Sequence, residues 1–251
     1  AATDSWAQCD FIDPNTANSA LGKPSYFSWT SGILQSKIPV NTSKQTINIH
    51  QPCSNDSWQW FEATMYLDFN TSSANYVDLL YRFDSSLQTG WVLRLGDVDD
   101  GIKLIERKAG KERIECAGET GYFNKTKSNI TVRWVKQHNL MLLLYKDSSW
   151  EQYRTLCAAI DTLNPKINHC GLSIIQTGSG AAGKHRFTTL IVQPPRPDKT
   201  PPTFTSLQWK STAWAQLNFS EPIFLQNKNQ LICNFQQADT FFPISSKSLL
   251  A

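Results

Sequence analysis

Residues 60–107 alternate apolar and polar side chains almost without a break, in four consecutive blocks separated by polar turns. In Phe61-Glu-Ala-Thr-Met-Tyr-Leu-Asp-Phe69 every odd residue is apolar and every even one except Tyr66 is polar. A period of two marks a strand with one face in a core and the other in water. Val77, Leu79, Tyr81 and Phe83 repeat the pattern, with Asp78 and Arg82 on the water side. Trp91, Leu93 and Leu95 continue it, and Ile102 and Leu104 close it. The connections at 70–75, 84–90 and 96–101 are rich in Asn, Asp, Ser and Gly, as turns between strands require. The block reads as a long antiparallel meander, a scaffold on which chemistry can be mounted.

Helix signals are weak elsewhere too; the best window, 156–163, amounts to a short turn. Further strands are predicted at 26–29, 47–50, 130–136, 140–145, 151–156, 171–175 and 187–192. The pair 130–134 and 140–145, joined by the polar turn Lys136-Gln-His-Asn139, is a hairpin. About a dozen strands before residue 193 predict an all-β fold of two facing antiparallel sheets. The core would hold Phe61, Ala63, Met65, Leu67, Phe69, Val77, Leu79, Trp91, Leu93, Val132 and Trp134, because a slip of one residue would expose the whole set. Residues 194–202 then carry five prolines in nine positions. Such a run cannot pair in a central strand and forms a stiff connector, so it is read as a linker between a domain at 8–193 and a second unit at 203–251. Strands at 204–210 and 214–219 open that unit, which is too short for a complete immunoglobulin-like sandwich of ~100 residues.

Six cysteines, two methionines and nine tryptophans in 251 residues suit an exported chain. An even cysteine count permits disulfides, and Cys157 and Cys170, separated by 12 residues that include Asn164-Pro165, are predicted to pair. Buried thiols are the alternative for Cys9 and Cys233. No C-x-x-C pair is present, which argues against structural zinc. Lys and Arg number 24 against 21 Asp and Glu, a net charge of +3 spread thinly, and this argues against a nucleic-acid partner. No run approaches the roughly 18 apolar residues of a transmembrane segment. Residues 1–8 lack the apolar stretch of a signal peptide, as expected of a mature or trimmed chain.

The runs Trp60-Phe-Glu-Ala-Thr-Met-Tyr-Leu-Asp-Phe69, Asn75-Tyr-Val-Asp-Leu-Leu-Tyr81, Gly90-Trp-Val-Leu-Arg-Leu-Gly96 and Asp99-Asp-Gly-Ile-Lys-Leu-Ile-Glu-Arg107 resemble the N-terminal domain of large exported Bacteroidetes surface proteins. The resemblance covers about residues 8–193 and implies a concanavalin A-like (laminin G-like) jelly roll. Asp198-Lys-Thr-Pro-Pro-Thr-Phe-Thr-Ser206 with Leu217-Asn-Phe-Ser-Glu-Pro222 resembles the opening of bacterial immunoglobulin-like repeats. Six cysteines and a truncated second unit depart from that pattern.

Each stretch that could carry chemistry also has a plain structural role. Some jelly rolls are glycoside hydrolases that place E-x-D-x-x-E on one strand. No such run occurs, and Glu112, Glu115 and Glu119 do not share a strand face. There is no G-x-S-x-G, and His50, His138, His169 and His185 show no local triad pattern. The stretch 178–183 is Gly-rich but lacks the G-K-[ST] ending of a phosphate loop. Asp97, Asp99 and Asp100 form an acidic turn that could hold calcium at a loop rim, or simply use Asp and Gly for its dihedrals. Trp29, Trp58 and Trp150 lie near strand ends, where indole faces could stack on sugar rings or finish the core edge. The six N-x-[ST] sequons, at Asn41, Asn55, Asn70, Asn124, Asn129 and Asn218, are read as chance in an Asn/Ser/Thr-rich sequence.

The expectation is a non-catalytic structural or adhesive module of a longer, multidomain protein that is secreted or on the outer cell surface. Its partner would be a surface glycan or protein, with no cofactor unless calcium binds the acidic turn. The rival readings are a lectin-like carbohydrate-binding module attached to an enzyme and, further off, a glycoside hydrolase.

Overall fold

The period-two segments become the strands of two antiparallel sheets. The computed structural model describes residues 9–11, 24–53, 58–125, 129–137, 139–163, 168–193, 204–209, 215–219, 233–237 and 240–244. The chain divides into two units, Ala1–Pro195 and Arg196–Ala251. In the first, an eight-stranded sheet runs in the order β12 (Arg154–Ile160), β11 (Leu140–Asp147), β10 (Ile130–Gln137), β5 (Trp58–Leu67), β14 (His185–Gln193), β3 (Ile33–Ser36) and β2 (Phe27–Thr30), and β1 (Cys9–Asp10) also pairs with β14. A six-stranded sheet runs β4 (Gln45–Pro52), β13 (His169–Gln176), β6 (Tyr76–Phe83), β7 (Gly90–Gly96), β8 (Gly101–Lys108) and β9 (Lys111–Ala117). The described helical content is a turn at Pro24–Tyr26 and one short helix, α1 (Tyr122–Lys125). No described helix is long and apolar enough to cross a membrane.

Every residue expected in the core from strict alternation is buried there: Phe61, Ala63, Met65, Leu67 and Phe69 on and after β5, Val77 and Leu79 on β6, Trp91 and Leu93 on β7, Val132 and Trp134 on β10. Phe61 and Trp134 stack with ring centroids 6.5 Å apart, and Tyr81 lies 4.8 Å from Trp134. Burying such aromatic side chains contributes roughly 2–3 kcal/mol each before entropy is charged against it.

The four-strand meander is corrected in one respect. β5 does not pair with β6; it sits between β10 and β14 in the other sheet, and the meander is β6-β7-β8-β9. Alternation fixes which face of a strand is apolar, but both sheets present an apolar face to the same core, so the pattern is silent on which sheet a strand joins. The phase at the end of β6 is also corrected. The register against β13 shifts between His169 and Gly171, and Arg82 takes φ +54°. This bulge turns Arg82 inward, with Nε 3.0 Å from Asp161 Oδ2, and sends Phe83 to the outer face with Leu80, Val92 and Ile105. The window 156–163 is largely β12, not a helical turn.

The predicted Cys157–Cys170 disulfide is not formed. Cys157, on edge strand β12, bonds to Cys116 on edge strand β9 across a Cα separation of 6.5 Å, while Cys170 points into the core unbridged. Short loop length favoured the wrong partner because the two strands' sheets, not their distance in sequence, set which cysteines meet. The side chains of Cys9 and Cys233, and the linker at 194–202, lie outside the described residues. The second unit contains two hairpin ladders, β15 (Phe204–Trp209) with β16 (Ala215–Phe219) and β17 (Cys233–Gln237) with β18 (Thr240–Ile244).

Candidate functional site

The outer phase of the six-stranded sheet was expected to face water, yet Asp78, Arg94 and Lys103 are all buried. Their positions explain why. The ladders set Asn48, Ser173, Asp78, Arg94 and Lys103 side by side in one row crossing β4, β13, β6, β7 and β8. The next row, Leu80, Val92 and Ile105, is apolar and forms a small second core with Phe83 and Leu87, the latter from the loop at 84–89. That loop is a polar turn pinned by Asp84, which accepts hydrogen bonds from Ser86 Oγ at 2.7 Å and Gln88 N at 3.0 Å. Burial pushes the Asp84 carboxyl up, but the combined hydrogen bonds from Ser86, Gln88 and Thr89 hold it below its usual range. Gly90 matters for this packing, since a Cβ there would strike the Phe83 ring.

Between the loop and the polar row lies a groove of about 350 Å³, floored by Asp78, Arg94 and Ser173 and walled by Asn48, Gln88 and Glu112. Arg94 organises the floor. Its Nε and Nη2 donate to the two oxygens of Asp78 at 2.8 and 2.9 Å, and its Nη1 and Nη2 donate to Glu112 at 3.1 Å each. Arg107 adds a 2.6 Å bond from Nη2 to Glu112 and a 3.4 Å bond from Nη1 to the Leu87 carbonyl, tying floor to loop. Burial pushes the Asp78 carboxyl up against the pull of Arg94. Burial also opposes the charge on Arg94, but the hydrogen bonds and charge of Asp78 prevail and raise its pKa. Burial likewise works on Glu112, where the hydrogen bonds from Arg107 and the charge of Arg94 win and hold the carboxyl below its usual range. Two guanidinium groups thus balance two carboxylates. The Tyr76 ring beside them is covered by Arg94 at 4.7 Å, so its face is not an open stacking platform.

Of these residues the sequence raised only Glu112 for chemistry, as a catalytic carboxylate that its spacing argues against; Asp78 reads there as a water-facing strand residue. The available signal was the run of charges on the outer phase of three successive strands, Asp78, Arg94 and Lys103, with Glu112 beyond. Opposite charges in direct cross-strand positions stabilise a sheet pair, and their register is readable once the turns are placed.

The residues that were singled out lie elsewhere or do something else. Trp29, on β2, packs against the core, and its Nε1 is buried with no hydrogen-bond partner. Trp150 follows β11, with ring edges to Tyr145 at 5.5 Å and Tyr122 at 6.1 Å and the Arg154 guanidinium 3.7 Å over its ring. Trp58, on β5, pairs through its backbone with Gln137 of β10, and its side chain is outside the described residues. Neither Trp29 nor Trp150 lines the groove.

The acidic turn between β7 and β8 holds protein groups. Lys103 Nζ is 2.9 Å from Asp99 Oδ1 and 3.8 Å from Asp97 Oδ2, Arg94 reaches Asp97 at 3.6 Å, and the Thr71 hydroxyl donates to Asp100 at 2.5 Å. Asp97 and Asp100 take φ of +75° and +54°, which Asp tolerates better than most residues. Calcium asks for six to eight oxygens, and no group of three or more His, Cys, Asp or Glu side chains is placed to hold a metal among the described residues. These carboxylates serve the turn and the two cations.

No protein-family model matches the chain, and no curated protein matches its sequence. Solved structures of the VIP36 exoplasmic/lumenal domain do match its fold. The Ca²⁺/Man3GlcNAc-bound form aligns with a TM-score of 0.52 at 10% identity, covering 70% of this chain and 84% of that one. The fold is a concanavalin A-like sandwich. The Ca²⁺/Man2-bound form gives 0.51 at 12% identity, covering 80% and 86%, and the metal-free form gives 0.51 at 10%, covering 78% and 89%.

Proposed function

We propose that this sandwich is a non-catalytic carbohydrate-binding module, part of a longer exported or surface protein, and that it takes a neutral glycan in the groove of the six-stranded sheet. The single observation that carries the reading is the groove's composition: amide, hydroxyl and guanidinium groups lie over a floor whose charges cancel. A ligand with a net charge would have to break the Asp78–Arg94–Glu112 set. A polyol needs only to exchange water at the rim, where Asn48 and Gln88 offer amides that both donate and accept. The VIP36 domain of similar fold binds mannose-containing glycans, which makes such sugars a reasonable first panel.

Catalysis fits this groove poorly. A glycosidase acid must carry a proton near neutral pH. Glu112 is held below the usual carboxylate range, and Asp78, though burial raises it, has both oxygens engaged by Arg94 and so none turned to a substrate. The function expected from sequence as a rival, a lectin-like module, is therefore preferred to a purely structural one.

The test is a glycan array followed by calorimetry on the full chain. Neutral oligosaccharides should bind in the ~µM to mM range of a site with few contacts. Asn48→Ala and Gln88→Ala, at the rim, should each weaken binding about tenfold, or ~1.4 kcal/mol, while Trp150→Ala leaves it unchanged. EDTA should have no effect. Binding that survives both rim substitutions, or that vanishes with EDTA, would place the ligand elsewhere.

A further inference from the structure

Two histidines that the groove does not use stand on the same face of the same sheet. His50 on β4 and His169 on β13 are offset by one ladder step: His50 is opposite Gly171, and His169 is opposite Pro52. Their Nδ1 atoms lie 3.0 Å apart, with ring centroids at 5.1 Å and planes inclined by 54°. The backbone enforces this approach. A Cβ at Gly171 would collide with the Ile49 carbonyl and the His50 Cα, so only glycine lets β4 come this close, and the register shift beside it sets the position of His169. His50 is partly exposed and His169 is 8% exposed, which puts the pair near the surface.

We propose that His50 and His169 form a two-histidine chelate for a divalent transition-metal ion of the Cu²⁺ or Ni²⁺ type. With metal–nitrogen bonds of about 2.0–2.1 Å, nitrogens 3.0 Å apart subtend roughly 90–97° at the metal. That is the cis angle of square-planar or octahedral coordination; a tetrahedral ion such as Zn²⁺ would want the nitrogens about 0.3 Å further apart. Solvent completes the coordination, since two protein ligands are offered and no third His, Cys, Asp or Glu joins them among the described residues. The ladder holds both backbones in advance, so binding asks only that the rings turn from facing each other to face the ion. Burial lowers the His169 pKa against the pull of the Asp84 carboxylate, which leaves the ring neutral, as a metal ligand must be. In the metal-free pair one Nδ1 carries the shared proton. Binding moves that proton to the same ring's Nε2, leaving both Nδ1 lone pairs for the metal, with no net proton released when both rings are neutral.

The test uses the untagged full chain titrated with CuSO₄ in the presence of glycine as a competing ligand, read by calorimetry and by electron paramagnetic resonance. One equivalent should bind at micromolar strength, with superhyperfine splitting from two imidazole nitrogens. His50→Gln and His169→Gln should each weaken the site at least tenfold and remove the two-nitrogen signature, with unchanged circular dichroism showing that the sheet persists. His138→Gln should change nothing. Copper bound equally well by the His50→Gln and His169→Gln chains, or a spectrum without two imidazole nitrogens, would mean the pair is only a hydrogen bond. The outcome is independent of glycan binding, because it is read without a sugar.

Discussion

The His185 imidazole is fully buried, with Nδ1 3.0 Å from the Ser36 hydroxyl and the Phe69 ring 4.7 Å from its own. Its Nε2 has no hydrogen-bond partner. Burial alone lowers its pKa to about 3 from an ordinary value of 6.5. The unfolded chain takes up a proton below pH 6.5 and the folded one does not until near 3, so the unfolded state binds more protons across that window. Stability contributed by this group is complete above pH 6.5 and falls as the pH drops toward 3, by about 1.4 kcal/mol per unit and roughly 5 kcal/mol in all. His185→Gln should flatten the slope of urea-derived stability between pH 6 and 4 by about 1.4 kcal/mol per unit. Equal slopes in the two chains would show that His185 is not the residue responsible. The same burial that makes this residue a stability determinant also removes it from chemistry: a Ser–His pair sealed in a core cannot meet a substrate.

At the scale of elements, the Cys116–Cys157 bond joins β9 to β12, the edge strands of opposite sheets, and so closes one side of the sandwich. Edge strands carry unpaired backbone groups and fray first. Closing a loop with a sequence separation of 41 restricts the unfolded chain, and the loop-entropy relation gives about 4 kcal/mol. The double variant Cys116→Ser, Cys157→Ser should lose ~2–4 kcal/mol in chemical denaturation, and a reducing agent should lower the wild-type midpoint by a similar amount while leaving the variant unmoved. A wild-type midpoint indifferent to reduction would remove the bond from the account of stability. β9 was not read as a strand from sequence because Lys111-Glu-Arg-Ile-Glu-Cys-Ala117 has no apolar alternation. It forms by extending the ladder of β8 at an exposed edge, where pairing needs backbone hydrogen bonds more than a buried face.

At the scale of the whole molecule, the chain separates into two units after residue 195. The sandwich carries its own continuous core between its two sheets, and such a core is what a domain needs to fold alone. A chain ending at residue 195 should keep the main thermal transition within about 2–3 °C of the full chain and retain any glycan binding, checked by calorimetry. A collapse of that transition would mean that the C-terminal unit supports the sandwich.

What the sequence determined by itself was the face of each strand. Alternation put Phe61, Met65, Leu79 and Trp91 in the core because apolar surface has nowhere else to go, and that preference acts residue by residue. It also yielded the all-β first domain of two facing antiparallel sheets. The tertiary structure decided the rest, for reasons that local patterns do not encode. Which sheet β5 joins depends on non-local pairing, since both sheets offer the same apolar face. The inversion at Arg82 depends on a bulge and on Asp161, 79 positions away in the same chain. The partner of Cys157 depends on which strands end up at the edges. The groove arises because residues from six strands and one loop meet over a face that each strand, taken alone, would have left to water.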